Sequence, residues 1–205
     1  IKRFIKNQST ALFIPYAAVG FSYDEYEAKV QKALGAFVEV KSIHHYTNSK
    51  EAVLNAEAII IGGGNTFQLL MLLQNNDLIE VIQHRVKENI PYIGWSAGSN
   101  IACPTIKTTN DMPIAEPNNF NALNLVNYQI NPHYTEQTLT GHGGESRLQR
   151  LMEYAAINDV PTVCLPEGCA IKIEAGITKL ISSEPCKFIQ KGGKITSLQH
   201  GEISI

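Results

Sequence analysis

Long apolar runs are missing from this sequence. The longest, such as Ala58 to Ile61 and Leu69 to Leu73, fall far short of the roughly 20 residues that a membrane-spanning helix needs, and no secretory signal is visible. An excess of one charge is missing too. A net charge of -2 over 205 residues gives no basic footprint for nucleic acid or an anionic membrane. Metal-ligand spacing is absent: Cys103, Cys164, Cys169 and Cys186 fit no zinc pattern, and the six histidines include no His-Glu-x-x-His arrangement. The cysteines read as small buried residues in a reducing cytoplasm, and no metal is expected. There is no internal repeat, linker or low-complexity segment. What is present, 44% hydrophobic and 18% charged residues, suits one globular domain over residues 1–205 with room for a sizeable core.

Apolar runs alternate with helical patterns, which predicts βαβ units around a mostly parallel sheet flanked by helices. Strands are expected at Ala11 to Tyr16, Phe37 to Ile43, Ala58 to Ile61, Pro91 to Gly94, Asn127 to Asn131 and Pro161 to Leu165. Ser22-x-x-Glu25 forms a capping box that opens a helix through about Leu34. Further helices are expected at Phe67 to Gln74, Leu78 to Glu88 and Glu145 to Ile157, the last amphipathic through Leu148, Leu151, Met152 and Ala155. From Cys169 onward the pattern changes. Ala170 to Glu174, Ile177 to Ser182, Lys187 to Gln190 and Ile195 to Leu198 read as antiparallel strands around glycine turns. Ile1 to Ile5 reads as the end of a helix, so the chain is expected to begin inside the native protein.

Gly94-Trp95-Ser96-Ala97-Gly98 stands between a short apolar strand and a helix of small residues. That context holds a serine exposed on a sharp elbow as a nucleophile, although an ordinary βα turn has the same spelling. The glycines let backbone approach backbone, and the following N–H groups face the spot where an oxyanion forms. A serine needs a base. His133, in Ile130-Asn131-Pro132-His133-Tyr134, follows a strand at the end where α/β sites gather. His142, between glycines, is the rival. His44, His45, His84 and His200 lie in strand-edge, helical or tail contexts and read as solvated. Glu167, in Leu165-Pro166-Glu167-Gly168, also follows a buried strand and suits a carboxylate that orients the base; a turn role beside proline is the alternative. Gly62-Gly63-Gly64-Asn65-Thr66 offers free N–H groups and reads as the second half of an oxyanion hole completing the N–H of Ala97, or as a tight connection. It lacks the endings of a phosphate loop.

Several separate segments resemble the peptidase E family of α-aspartyl dipeptidases: Ile61 to Leu70, Tyr92 to Gly98, Cys103-Pro104-Thr105-Ile106, Thr108 to Ile114, Gln129 to His133, Gly144-Glu145-Ser146-Arg147 and Leu165 to Gly168. The resemblance runs from about residue 11 to the end. It implies a cytoplasmic serine peptidase that cleaves Asp-X dipeptides without metal or organic cofactor, as a monomer or homodimer. It also implies a fold like that of class I glutamine amidotransferases, with serine in place of the cysteine nucleophile. Carried over by motif, Ser96 is the nucleophile, His133 the base and Glu167 the third triad member. Gly64 and Ala97 form the oxyanion hole, Arg147 grips the β-carboxylate of the substrate aspartate, and Asp111 meets its α-amino group. A guanidinium suits a carboxylate and a carboxylate suits an ammonium. Arg147 as a solvated residue of a first helical turn, and Asp111 as a loop or cap residue with Glu116 as the nearby alternative, are the competing readings. The family usually carries a further strand and helix before the segment matching Ala11 to Tyr16. Two other functions are compatible with parts of the pattern: a cyanophycinase-like hydrolase of aspartate-containing polymers, and a nucleotide-binding regulatory protein using Gly62 to Thr66 as an anion loop.

Overall fold

The computed structural model describes residues 1, 3–5, 7–137 and 143–205. The chain divides into two compact units, residues 1–106 with 111–125 and residues 107–110 with 126–205.

The first unit is built on a four-stranded parallel sheet. In chain order it contains β1 (Thr10–Ile14), α1 (Tyr23–Leu34), β2 (Glu39–Ser42), α2 (Ser49–Leu54), β3 (Ile59–Ile61), α3 (Thr66–Asn75), α4 (Ile79–Lys87), β4 (Tyr92–Gly94) and α5 (Ala97–Ile101). The strand order is β2-β1-β3-β4, every pair parallel, with Ile14 beside Ile61 and Ile61 beside Gly94. Alternation along the strands supplies two cores. Leu12, Ile14, Ile59 and Ile61 pack with Val53, Leu69, Leu70, Leu73, Ile82 and Ile101. Ala11, Phe13, Ala58 and Ile60 pack on the opposite face with Val30 and Leu34 of α1. A sheet buried on both faces explains why Ala58 to Ile61 is continuously apolar rather than alternating.

Boundaries move for local reasons. β1 ends at Ile14 because Pro15 has no N–H to donate; the chain instead turns, with Ala18 N bonded to Pro15 O at 2.8 Å. The expected strand at Phe37 to Ile43 shortens to β2 and then tightens into a 3-10 turn at Ile43–His45. The capping box is formed: Ser22 Oγ accepts from Glu25 N–H and the Glu25 carboxylate accepts from Ser22 N–H, at 3.2 and 3.0 Å. The short helix α2, capped by Asn48, has no counterpart among the predicted elements. Phe4 N and Ile5 N bond to Ile1 O; Lys2 and Lys6 lie outside the described residues.

The second unit contains β5 (Gln129–Pro132), α6 (Arg147–Ile157), β6 (Thr162–Leu165), β7 (Ala170–Glu174), β8 (Ile177–Ile181), β9 (Cys186–Ile189), β10 (Ile195–Leu198) and β11 (Gly201–Glu202). β5 and β6 are parallel, and β9 and β10 continue that sheet antiparallel in the order β10-β9-β6-β5. β11, β8 and β7 form a separate antiparallel sheet. Leu151 and Ala155 of α6 pack against Tyr134, Cys164 and Ile189. The antiparallel character expected of the tail is present. Cys103, Cys164 and Cys186 are buried, Cys169 is partly exposed, and all four are free thiols. Burial pushes the Cys164 thiol up to about 12. Among the described residues no helix is long and apolar enough to cross a membrane.

Candidate active site

The elbow begins where β4 stops. Ser96 has φ 54° and ψ -116°, a conformation that a non-glycine residue holds only when its surroundings impose it. The surroundings are visible in the flanking glycines. A Cβ on Gly94 would lie 2.3 Å from Gly98 O, and one on Gly98 would lie 2.2 Å from Ile61 O. The turn and the start of α5 are thus pressed against β3 more closely than any side chain allows. The Tyr92 hydroxyl donates to Gly98 O at 2.6 Å and Ser99 Oγ donates to Gly94 O at 3.2 Å. Desolvation raises the Tyr92 phenol well above 10, so it stays a neutral donor. Trp95 is anchored beneath the sheet, its ring stacked on Phe13 at 6.2 Å with an interplanar angle of 9°. Its Nε1 donates to Tyr26 Oη at 3.2 Å, and Tyr26 Oη donates to Gly63 O at 3.0 Å.

That chain of bonds joins the elbow to the loop after β3. A Cβ on Gly63 would meet Ser96 Cβ at 2.8 Å, so this loop runs directly past the serine. Gly64 has φ +135°, and a Cβ there would collide with Ala17 O at 2.1 Å; both facts demand glycine. Among the described residues, neither the Gly64 nor the Ala97 N–H has a protein acceptor. α5 is five residues long, so any electrostatic contribution comes from individual N–H groups rather than from a long helix dipole.

Asp111 sits in the same unit. Its Oδ2 accepts from Thr66 N at 2.7 Å and from Thr66 Oγ1 at 2.5 Å, and Asn100 of α5 donates to Thr66 Oγ1 at 3.4 Å. Asn65 Nδ2 donates to Met112 O at 2.8 Å. Asp111 therefore caps the first turn of α3 and latches the 111–113 loop to the Gly-rich segment. Glu116 is exposed.

In the second unit, β5 and β6 end side by side, with Tyr134 N bonded to Leu165 O at 3.1 Å. His133 follows β5 with φ 55°, and its Nδ1 is hydrogen-bonded to Glu167 Oε1 beyond β6. Both side chains are exposed. The bond fixes the ring orientation and leaves Nε2 outside it. Arg147 opens α6, which Ser146 caps through a second capping box with Gln149. Its Nη1 donates to His133 O, and also to Pro132 O at 3.4 Å, with the residue half-buried. Asn110 Nδ2 donates to Pro132 O at 3.1 Å and Asn131 Nδ2 to Asn110 Oδ1 at 2.9 Å, so the strand end carrying His133 is held on several sides. His142 lies outside the described residues.

The structure thus gathers Ser96, Ala97, Gly64 and Asp111 in one unit and His133, Glu167 and Arg147 in the other. The sequence reading missed Tyr26, Tyr92 and Thr66. Tyr26 and Thr66 have partners 37 and 45 residues away, and Tyr92, though only six residues from Gly98, shows locally just an aromatic at a strand position.

A strained serine elbow at the carboxyl end of a parallel strand, within an α/β architecture, is the arrangement of a serine hydrolase. Comparison with known proteins supplies the family. Peptidase family S51 matches residues 1–181. The chain is 48% identical over 195 residues to peptidase E of Nostoc sp. (strain PCC 7120), covering 94% of this chain and 81% of that protein. It is 44% identical over 186 residues to peptidase E of Shewanella denitrificans, covering 90% and 79%. A solved structure from Listeria monocytogenes EGD-e, described as a possible peptidase E, superposes with a TM-score of 0.60 at 26% identity, over 99% of this chain and 91% of that one. A peptidase from an acI-B1 Actinobacterium shares the fold, with a TM-score of 0.73 at 18% identity over 100% and 89%. The chain belongs to Peptidase family S51 and is a serine peptidase.

Proposed function

We propose that this peptidase is a dipeptidase acting on Asp-X substrates through Ser96, His133 and Glu167. The observation that carries the reading is the Ser96 backbone at φ 54° and ψ -116°, strain that an ordinary βα turn has no reason to hold. Ser96 Oγ attacks the carbonyl carbon of the N-terminal aspartate while His133 Nε2 takes its proton. Glu167, bonded to Nδ1, stabilises the resulting imidazolium. The oxyanion accepts hydrogen bonds from the N–H groups of Gly64 and Ala97, each such donor being worth roughly 3 kcal/mol in the transition state. His133 returns the proton to the leaving amine, and water, deprotonated by the same imidazole, releases aspartate from the acyl-enzyme. No step calls for a cofactor.

Arg147 takes the β-carboxylate of the substrate aspartate. A guanidinium offers five donors in a planar fork, and both backbone carbonyls held by Arg147 use Nη1 alone. Asp111, fixed by Thr66, takes the α-ammonium. The test is a dipeptide panel with the N-terminal residue varied. Ser96→Ala is expected to fold normally and lose turnover; Asp-Leu cleavage at the wild-type rate removes the reading. Arg147→Ala is expected to reduce kcat/KM for Asp-X far more than for neutral X-X dipeptides. An equal loss on both classes rejects its recognition role.

A further inference from the structure

The first unit carries a second chemical cluster that the peptidase reaction does not use. Asp24 and Glu27 stand one turn apart on α1, and the 3-10 turn after β2 carries His44 and His45. His44 Nε2 lies 2.9 Å from Asp24 Oδ1. His45 Nε2 lies 2.6 Å from Glu27 Oε2 and 3.8 Å from Asp24 Oδ1. The two imidazole rings are 4.0 Å apart at their centroids. Only 20% of the His44 side chain is exposed, so this is not the solvated strand-edge histidine that its sequence position suggests. We propose that Asp24, Glu27, His44 and His45 form a binding site for a divalent transition-metal ion, zinc in particular.

The donor set is two imidazole nitrogens and two carboxylate oxygens, which suits four-coordinate zinc. All four candidate ligand atoms lie within 4.8 Å of one another. An ion with bonds of about 2.0–2.2 Å spans donors up to about 4 Å apart. Small rotations of the exposed Asp24 and His45 side chains close that difference.

The outer shell is the more telling observation, because it lies outside the cluster and its two bonds meet on one buried residue. His44 Nδ1 lies 2.7 Å from Ser42 Oγ. Ser42 N–H donates at 2.7 Å to Glu27 Oε1, which turns Oε2 toward His45. Ser42 is 0% exposed. Ligand histidines commonly have their second nitrogen held in this way, with the ligand carboxylate also pinned. A metal ion takes the neutral imidazole at Nε2, and the single ring proton of His44 then sits on Nδ1 and is donated to Ser42 Oγ, whose hydroxyl hydrogen is free to rotate away. The ion clamps the first turns of α1 to the end of β2. Tyr26, between Asp24 and Glu27 on α1, is the residue that bonds Gly63 and Trp95 at the elbow.

The experiment uses the whole chain, stripped of metal with a chelator. Zinc is titrated in competition with a chromogenic chelator, and cobalt(II) is added separately to report coordination by its visible absorption. One tight zinc site per chain is expected, together with the intense band of four-coordinate cobalt. His44→Gln/His45→Gln is expected to lose both, with an affinity drop of more than about 100-fold, and Ser42→Ala to weaken zinc by about 10- to 100-fold. Circular dichroism checks that the variants fold. If the double histidine variant does not, Asp24→Asn/Glu27→Gln carries the same test. Absence of stoichiometric zinc binding by the wild type, or zinc retained at full affinity by either folded double variant, overturns the proposal. These readouts do not involve peptide cleavage, so they stand or fall apart from the substrate assignment.

Discussion

Gly98→Ala is the sharpest probe of the elbow. The new methyl would lie 2.2 Å from Ile61 O, 3.0 Å from Ile61 C and 3.4 Å from Ile61 Cβ. The two nearest are backbone atoms of a strand buried on both faces and paired on both sides, to β1 and to β4. No flexible side chain can swing aside, so β3 and α5 must separate by an appreciable fraction of an ångström. Forcing an extra methyl into a packed interior costs typically about 1–3 kcal/mol, and a collision with backbone belongs at the upper end. For a chain of this length each 1 kcal/mol lowers Tm by roughly 2–4 °C, giving a fall of roughly 6–12 °C. The same shift moves Ser96, whose backbone is anchored between Gly94 and Gly98, and a misplacement of about 1 Å lowers turnover by roughly 100-fold. Gly20→Ala is the control, since nothing among the described residues lies within 4 Å of its added methyl. The assay is a thermal melt followed by circular dichroism, with kcat measured on a dipeptide at a temperature where both variants are folded. A Gly98→Ala enzyme that melts with the control and retains full kcat refutes the reasoning that close backbone contact builds the elbow.

Tyr92→Phe removes the hydroxyl that donates to Gly98 O at 2.6 Å. The buried carbonyl is left without that donor, and the expected loss is about 1–3 kcal/mol, read by chemical denaturation; unchanged stability argues that water replaces the hydroxyl. Glu57 accepts hydrogen bonds from Thr10 N and Ser9 N at 3.0 and 2.7 Å. The Thr10 bond first, then those from Ser9, holds its carboxyl below the ordinary 4.5. A depressed folded value means the stabilisation is fully present above 4.5 and disappears as pH falls through the lower value. Glu57→Gln is therefore expected to melt below wild type at neutral pH, with the gap closing in acid; a gap of constant size down to pH 3 contradicts it.

Much of this architecture is written locally. Ser22 and Glu25 are three residues apart, so their mutual capping is legible as a spacing. The glycines at 94 and 98 fix the elbow in the same way, and the change from helix-separated runs to short strands after Cys169 marks the antiparallel tail. What the sequence conceals depends on partners far apart in the chain. Asp111 reads as a loop carboxylate because its donor, Thr66, lies 45 residues away. Arg147 reads as a solvated first-turn residue because its acceptors are backbone carbonyls of a different element. The cluster of Asp24, Glu27, His44 and His45 was hidden by one boundary. An alternating strand through Ile43 leaves His44 and His45 at an exposed edge, whereas the 3-10 turn that actually forms gathers both imidazoles toward α1.

The guanidinium of Arg147 has one further implication. Because a single nitrogen holds the carbonyls of Pro132 and His133, the group assigned to selectivity is wired mechanically to the residue assigned to proton transfer. On the roles proposed above, a substitution at position 147 alters substrate preference and disturbs the base together. Relaxed specificity and slower catalysis would arrive together, and a new substrate range would need a compensating brace for the His133 backbone before it could be used.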